Sequence, residues 1–174
     1  MVESGKKGEW MSEKCAYRIG FCYFYKGVLV FNLYSMTKEE KELLLKDLCA
    51  RFPYGVKVQY YFDEGCGTWR KETATLKGYN PKRTGIDGVE FILERTTPKG
   101  SYRTSYESWS IKPYLRPVSS MTEEETDRMW EIYESGPAAE SSVAVAEYLY
   151  ERHLDCHHLI EKGLAEEAPE GMYE

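Results

Sequence analysis

The chain has 174 residues, 42% hydrophobic and 30% charged, the proportions of a soluble globular protein with room for one ordinary domain. Its five cysteines (Cys15, Cys22, Cys49, Cys66, Cys156) are odd in number and form no Cys-x-x-Cys pair, which argues against a disulfide framework or a zinc knuckle and for a reducing cytoplasm. The net charge of −6 is divided, because 118–174 carries 15 acidic and 3 basic residues while 1–117 has a net of +6. A basic block can meet phosphates and an acidic one repels them; equally, the two can attract one another.

Residues 1–35 form an extension with three readings. Ile19 to Tyr34 is apolar but interrupted by Lys26 and Asn32, too short for the ~20 apolar residues of a membrane span and lacking a signal-peptide cleavage site. As folded structure it is a hairpin, Ile19–Tyr25 and Val28–Tyr34, turning at Lys26-Gly27. The preferred reading is an extension upstream of a natural start at Met36, which directly precedes a helix cap.

That cap is a phrase occurring twice: Ser35-Met36-Thr37-Lys38-Glu39-Glu40 and Ser120-Met121-Thr122-Glu123-Glu124-Glu125. Each Thr is followed three residues later by Glu, the capping box of a helix start. The first helix runs to about Phe52, with Leu44, Leu45, Leu48, Cys49 and Phe52 as its apolar face. Pro53 ends it, since the residue before proline is pushed out of the α region.

From Val56 the period changes to two. Val56, Val58, Tyr60 and Phe62 alternate with polar neighbours as a half-buried strand. Asp63 to Gly67 is a turn, Thr68 to Leu76 a second strand and Gly78 to Gly88 a polar loop. Val89 to Glu94, Tyr102 to Tyr106 and Trp109 to Leu115 complete five strands. The spacing predicts an α+β protein: an N-terminal helix, a small five-stranded SH3-like (or OB-like) barrel, and acidic C-terminal helices. Residues 36–117 hold the helix and barrel, and 118–174 the helical region that packs on it.

The C-terminal part reads as a helix from Thr122 to about Tyr133, with Met129, Trp130 and Tyr133 as apolar positions. After Ser135-Gly136-Pro137 a second helix runs from about Ser141 to His153, burying Val145 and Leu149. Leu159-Ile160 and Leu164-Ala165 dock a terminal turn, and Ala168 to Glu174 is a frayed tail.

Four phrases carry a resemblance. They are Leu44-Leu45-Lys46-Asp47-Leu48-Cys49-Ala50-Arg51 with Pro53-Tyr54-Gly55-Val56; Ile111-Lys112-Pro113-Tyr114-Leu115-Arg116-Pro117; Ser119-Ser120-Met121-Thr122-Glu123-Glu124-Glu125; and Gly163-Leu164-Ala165 with Glu167-Ala168-Pro169-Glu170-Gly171-Met172-Tyr173. Over Met36 to Glu174 the chain resembles the small uncharacterised proteins of Bacteroides-type gut bacteria and their phages and prophages. The resemblance implies an accessory protein of a mobile element, in the cytoplasm, with no activity and no catalytic residue to carry over. The chain departs from the pattern at Leu154–His158.

Metal chemistry has one candidate cluster, His153-Leu154-Asp155-Cys156-His157-His158. On a continuing helix His153 and His157 would share a face as two ligands must, but no third ligand is evident, and histidines also complement a helix C-terminus. Cys66, between two glycines, has no basic partner to make it a nucleophile. Gly-x-Gly-x-x-Gly, Gly-x-x-x-x-Gly-Lys-[Ser/Thr] and Gly-x-Ser-x-Gly are all missing. The expectation is therefore a non-enzymatic binding module without cofactor or membrane partner. Its partner is a host or phage protein, met through an aromatic groove or the acidic helical tail. The alternative is single-stranded nucleic acid or nucleotide, stacked and neutralised by Trp69, Arg70, Lys71, Tyr79, Arg83, Tyr102, Arg103 and Trp109 on one barrel face.

Overall fold

Both Thr-x-x-Glu phrases start helices. In the computed structural model, which describes residues 22–25, 28–31, 36–63, 69–81, 89–98, 100–107 and 110–173, the Thr37 hydroxyl accepts the Glu40 N–H at 3.1 Å and the Glu40 carboxylate accepts the Thr37 N–H at 2.7 Å. Thr122 and Glu125 repeat the exchange at 3.1 and 3.0 Å. Each box satisfies donors that a helix start otherwise leaves without partners.

The chain divides into two compact units, Met1–Ser35 with Asp63–Arg70, and Met36–Phe62 with Lys71–Glu174. In the first, β1 (Cys22–Tyr25) and β2 (Val28–Phe31) pair antiparallel, Tyr25 opposite Val28. This is the hairpin of the second reading above.

The second unit opens with α1 (Lys38–Arg51), followed by a 3-10 turn over Phe52–Tyr54. Gly55 closes that turn at φ 67°, a left-handed backbone that costs glycine little. Five strands follow: β3 (Lys57–Asp63), β4 (Trp69–Pro81), β5 (Val89–Thr97), β6 (Gly100–Glu107) and β7 (Ile111–Leu115). After them come α2 (Glu123–Glu134), α3 (Ala138–Glu151) and a two-residue strand β8 (Glu166–Glu167). Strand β4 extends through Pro81, past the expected end at Leu76, across a register shift between Leu76 and Gly78. The expected turn at 64–67 and most of the 78–88 loop lie outside the described residues.

The sheet differs from the expected barrel. Six strands lie in the order β6-β5-β4-β3-β7-β8, and no pairing among the described residues joins β6 to β8, so the sheet is open. Closure requires strands to tilt and stagger until the two edges meet. Here the first edge is an extended β5–β6 hairpin, while β7 ends in a parallel pairing with the distant C-terminal segment, Tyr114 opposite Glu166.

One face of this sheet makes the core. Val56, Val58 and Tyr60 point into it as their alternation predicts, with Ala74, Leu76, Phe91, Leu93, Ile111 and Leu115 from the other strands. Leu44 and Leu48 of α1 cover it, as do Leu159, Leu164 and Ala165 from the C-terminal segment, so 36–117 and 118–174 share one core. The expected docking of Leu159 and Leu164 is found. The frayed tail is not: Ala168 N–H bonds to the Leu115 carbonyl at 2.8 Å, and the Tyr173 hydroxyl donates to the Tyr114 carbonyl at 2.8 Å while accepting the Lys57 N–H at 3.0 Å. No helix among the described residues is long and apolar enough to cross a membrane.

Candidate functional site

Asp47 and Arg51 lie one turn apart on the core side of α1, three residues after Leu44 and Leu48, and neither side chain is exposed. Burying a charge is costly unless it is paired and hydrogen-bonded, and these are both. Arg51 Nε donates to Asp47 Oδ2 at 2.7 Å, and Nη2 donates to Oδ1 at 3.1 Å and to the Leu154 carbonyl at 2.7 Å. The guanidinium also lies over the Tyr150 ring, 5.0 Å from its centroid, and 3.9 Å from Cys156 Sγ. It therefore ties α1 to the end of α3 and the turn after it. Arg51 Nη1 is buried without a protein partner.

The two candidate histidines are held apart in role. Helix α3 ends at Glu151, and His153 takes φ 56°, so His153 and His157 do not share a helical face. His153 stacks on Tyr173, ring centroids 3.8 Å apart, with Nδ1 buried and unpartnered. Burial, reinforced by Arg51, Arg116 and Lys57, holds its pKa down at about 4. His157 Nε2 meets the Tyr150 hydroxyl at 2.9 Å. Its ring, the Asp47 carboxylate and the Cys156 thiol place ligand atoms within 4.8 Å of one another. Both Asp47 oxygens already accept from Arg51, so a cation entering there would face a guanidinium at hydrogen-bond range. Burial pushes the Cys156 thiol up despite Arg51, which keeps it protonated and a poor nucleophile. The arrangement ties α1 to the end of α3 and the turn that follows it.

The basic and aromatic set of the sheet is not gathered on one face. Tyr102 lies opposite Arg95 and Arg103 opposite Glu94, so these neighbours point to opposite sides. Tyr79 and Tyr102 are 52% and 54% exposed, and Tyr79 meets the Phe52 ring edge-on at 6.5 Å. Arg70 is exposed and belongs to the other unit. The cations have carboxylate neighbours: Lys71 with Glu166 at 3.9 Å, Arg103 with Glu94 at 3.2 Å, and Arg95 with Glu72 at 3.2 Å. Arg83, Trp109, Cys66 and the Trp69 side chain lie outside the described residues.

Helix α2 presents a different surface. It buries no residue, and Trp130 and Tyr133 are 53% and 47% exposed, their rings edge-to-face at 5.8 Å. Spacings of three and four place Asp127 and Glu134 on the same side as this pair. Glu123 and Glu124 are also exposed on the helix, and Glu131 is paired there with Arg128 at 2.7 Å. Its start is fastened just past the end of β7, where Arg116 donates to both Glu125 oxygens at 2.8 and 2.9 Å. That bond holds the Glu125 pKa down at about 2. The Tyr148 hydroxyl adds a bond from α3 to the Glu125 carbonyl at 3.3 Å.

Comparison with family models, with curated proteins and with solved structures finds no match. The surface must be interpreted from its own residues. Trp130 and Tyr133 were legible as apolar positions, and their acid flanks as charge, but nothing in the pattern said which way they face. The Asp47–Arg51 pair had a signal that passed unread: two opposite charges four apart on an apolar stripe.

Proposed function

We propose that this protein is a non-enzymatic interaction module whose α2 face receives a cationic segment of a partner protein. The observation that carries the reading is the exposed Trp130–Tyr133 pair on the outer side of a helix whose Asp127 and Glu134 lie on that same side. Aromatic side chains concentrate at interface centres because they bury large area at small entropic cost. An aromatic face with acidic neighbours suits lysine and arginine side chains, through cation–π contact and charge pairing. The resemblance to proteins of gut bacteria and their phages supplies the setting, an accessory protein of a mobile element acting on a host or phage protein.

The test is fluorescence anisotropy of a labelled Lys/Arg-rich amphipathic peptide titrated with the full chain, beside Trp130→Ala/Tyr133→Ala. We expect saturable binding that the double substitution weakens at least tenfold. Equal binding by both proteins would show charge attraction alone and sink the reading. Labelled single-stranded DNA titrated over a series of salt concentrations addresses the alternative. Phosphate contacts give an affinity falling steeply with salt, and Lys71→Glu with Arg103→Glu would abolish it.

A further inference from the structure

Strand β6 is the open edge of the six-stranded sheet. Its pairing with β5 runs from Glu90 opposite Glu107 to Thr97 opposite Gly100. A hairpin closed by a Thr97–Gly100 pair makes that pair hydrogen-bonded, and the pattern then alternates along the ladder. Gly100, Tyr102, Thr104 and Tyr106 therefore spend their backbone groups on β5. Ser101, Arg103, Ser105 and Glu107 direct theirs outward, along an edge with no partner among the described residues.

Natural sheets blunt such edges with proline, charged side chains and lysine above all, a bulge or a covering element. Strand β6, Gly-Ser-Tyr-Arg-Thr-Ser-Tyr-Glu, has neither proline nor lysine. Its pairing with β5 is regular, without a bulge. Ser101 to Ser105 are exposed on both faces, so no described element covers them. The single arginine lies beside Glu94, which offsets its charge.

Tyr102 and Tyr106 flank Thr104 at equal distance along the strand. We propose that β6 pairs antiparallel with β6 of a second copy of this chain, centred on Thr104, joining two sheets across a two-fold axis. In this register Ser101 meets Glu107 and Arg103 meets Ser105 as the hydrogen-bonded pairs, which uses every outward backbone group. Thr104 meets Thr104, and Tyr102 meets Tyr106, as the closer non-hydrogen-bonded pairs. Threonine pairs and aromatic pairs are favourable across strands. A register centred one residue earlier would set Arg103 against itself, and one residue later would leave Ser101 and Tyr102 outside the ladder. The interface is isologous and closes at two copies. Tyr102, exposed in one copy, packs beside Tyr106 at the core margin of the other.

The experiment is sedimentation velocity of the full chain over a concentration series, with three variants. The expected result is an apparent mass rising from the 20.3 kDa of the single chain toward twice that. Ser105→Pro removes one outward N–H and leaves the β5 ladder intact, since proline is tolerated where the N–H faces solvent. It should stay at the monomer mass while keeping its circular dichroism. Trp130→Ala/Tyr133→Ala should still dimerise, which separates this interface from the α2 surface. Thr104→Cys places two thiols about the dyad with Cα atoms about 4.5 Å apart, within disulfide reach. Mild oxidation should give a reducible dimer that the native cysteines alone do not. A chain that stays monomeric at hundreds of micromolar, a Ser105→Pro dimer, or a Thr104→Cys dimer no stronger than wild type would each overturn the proposal.

Discussion

Arg51 and Asp47 form an ion pair with neither side chain exposed, and the same guanidinium reaches the Leu154 carbonyl more than a hundred residues on. A helix-local pair thus fastens the N-terminal helix to the C-terminal segment. Removing one partner strands the other as an uncompensated buried charge. Asp47→Ala should destabilise the fold by about 3–5 kcal/mol, measured by urea unfolding. The double substitution Asp47→Leu/Arg51→Met should cost far less, because no charge remains buried. Equal costs for the single and double variants would refute this account.

Tyr173 fastens the last residues by one hydroxyl that both donates and accepts. Burial pushes its phenol up to about 12, so it stays a donor at neutral pH. Tyr173→Phe leaves the Lys57 N–H and the Tyr114 carbonyl short of a partner and should cost about 1–3 kcal/mol. Hydrogen exchange should show the loss of protection confined to the 166–173 segment and the facing part of β7. Unchanged protection there would mean that the tail is held by other contacts.

Glu125 serves its capping box and Arg116 together. A depressed carboxyl contributes stability that is present above its unfolded pKa, near 4.5, and lost as pH falls toward 2. Glu125→Gln should therefore lose stability at pH 7, by about 1–2 kcal/mol once solvent screening of this partly exposed pair is counted, with the gap to wild type closing between pH 4.5 and 2. A gap that stays constant over that range points to lost packing instead.

His153 acts in a higher window. Its folded pKa of about 4 lies below the ordinary 6.5, so between these values the unfolded chain binds the proton that the folded one refuses. Stability is then full above pH 6.5 and declines as pH falls through 4. His153→Phe retains the ring for Tyr173 and removes the titrating group. Melting curves at pH 7, 5.5 and 4.5 should slope less for the variant than for wild type.

Trp130 and Tyr133 should matter little to stability. Replacing both with alanine should change unfolding free energy by no more than about 0.5 kcal/mol each, since α2 buries neither. A larger loss would reassign them to the fold and remove them from any partner surface.

Much of the local structure was legible. The Thr37 and Thr122 boxes, the Leu44–Leu48 stripe and the alternation of Val56, Val58 and Tyr60 each depend on residues two to four apart, so a short window contains the whole interaction. The same holds for α1 ending at the Phe52-Pro53 junction. Strand ends were less legible, since β4 persists through Pro81 where propensity alone argued for a loop.

What the amino-acid sequence determined by itself, then, was the order of helices and strands, the two capped helix starts at Thr37 and Thr122, and the apolar stripes of α1 and β3. Helix α3 begins earlier than expected, at Ala138, and buries Ser141 and Tyr148 where Val145 and Leu149 were expected. Only the tertiary structure decided that the sheet stays open, that Asp47 and Arg51 lie inside, that Tyr173 is docked, and that Trp130 and Tyr133 face outward. The physical reason is that these depend on partners far along the chain. A strand carries no mark of which edge it will join, and a charged or aromatic residue is equally itself in water or in a core. The neighbours that settle its place, Leu154 for Arg51 and Lys57 for Tyr173, arrive only when the chain has folded.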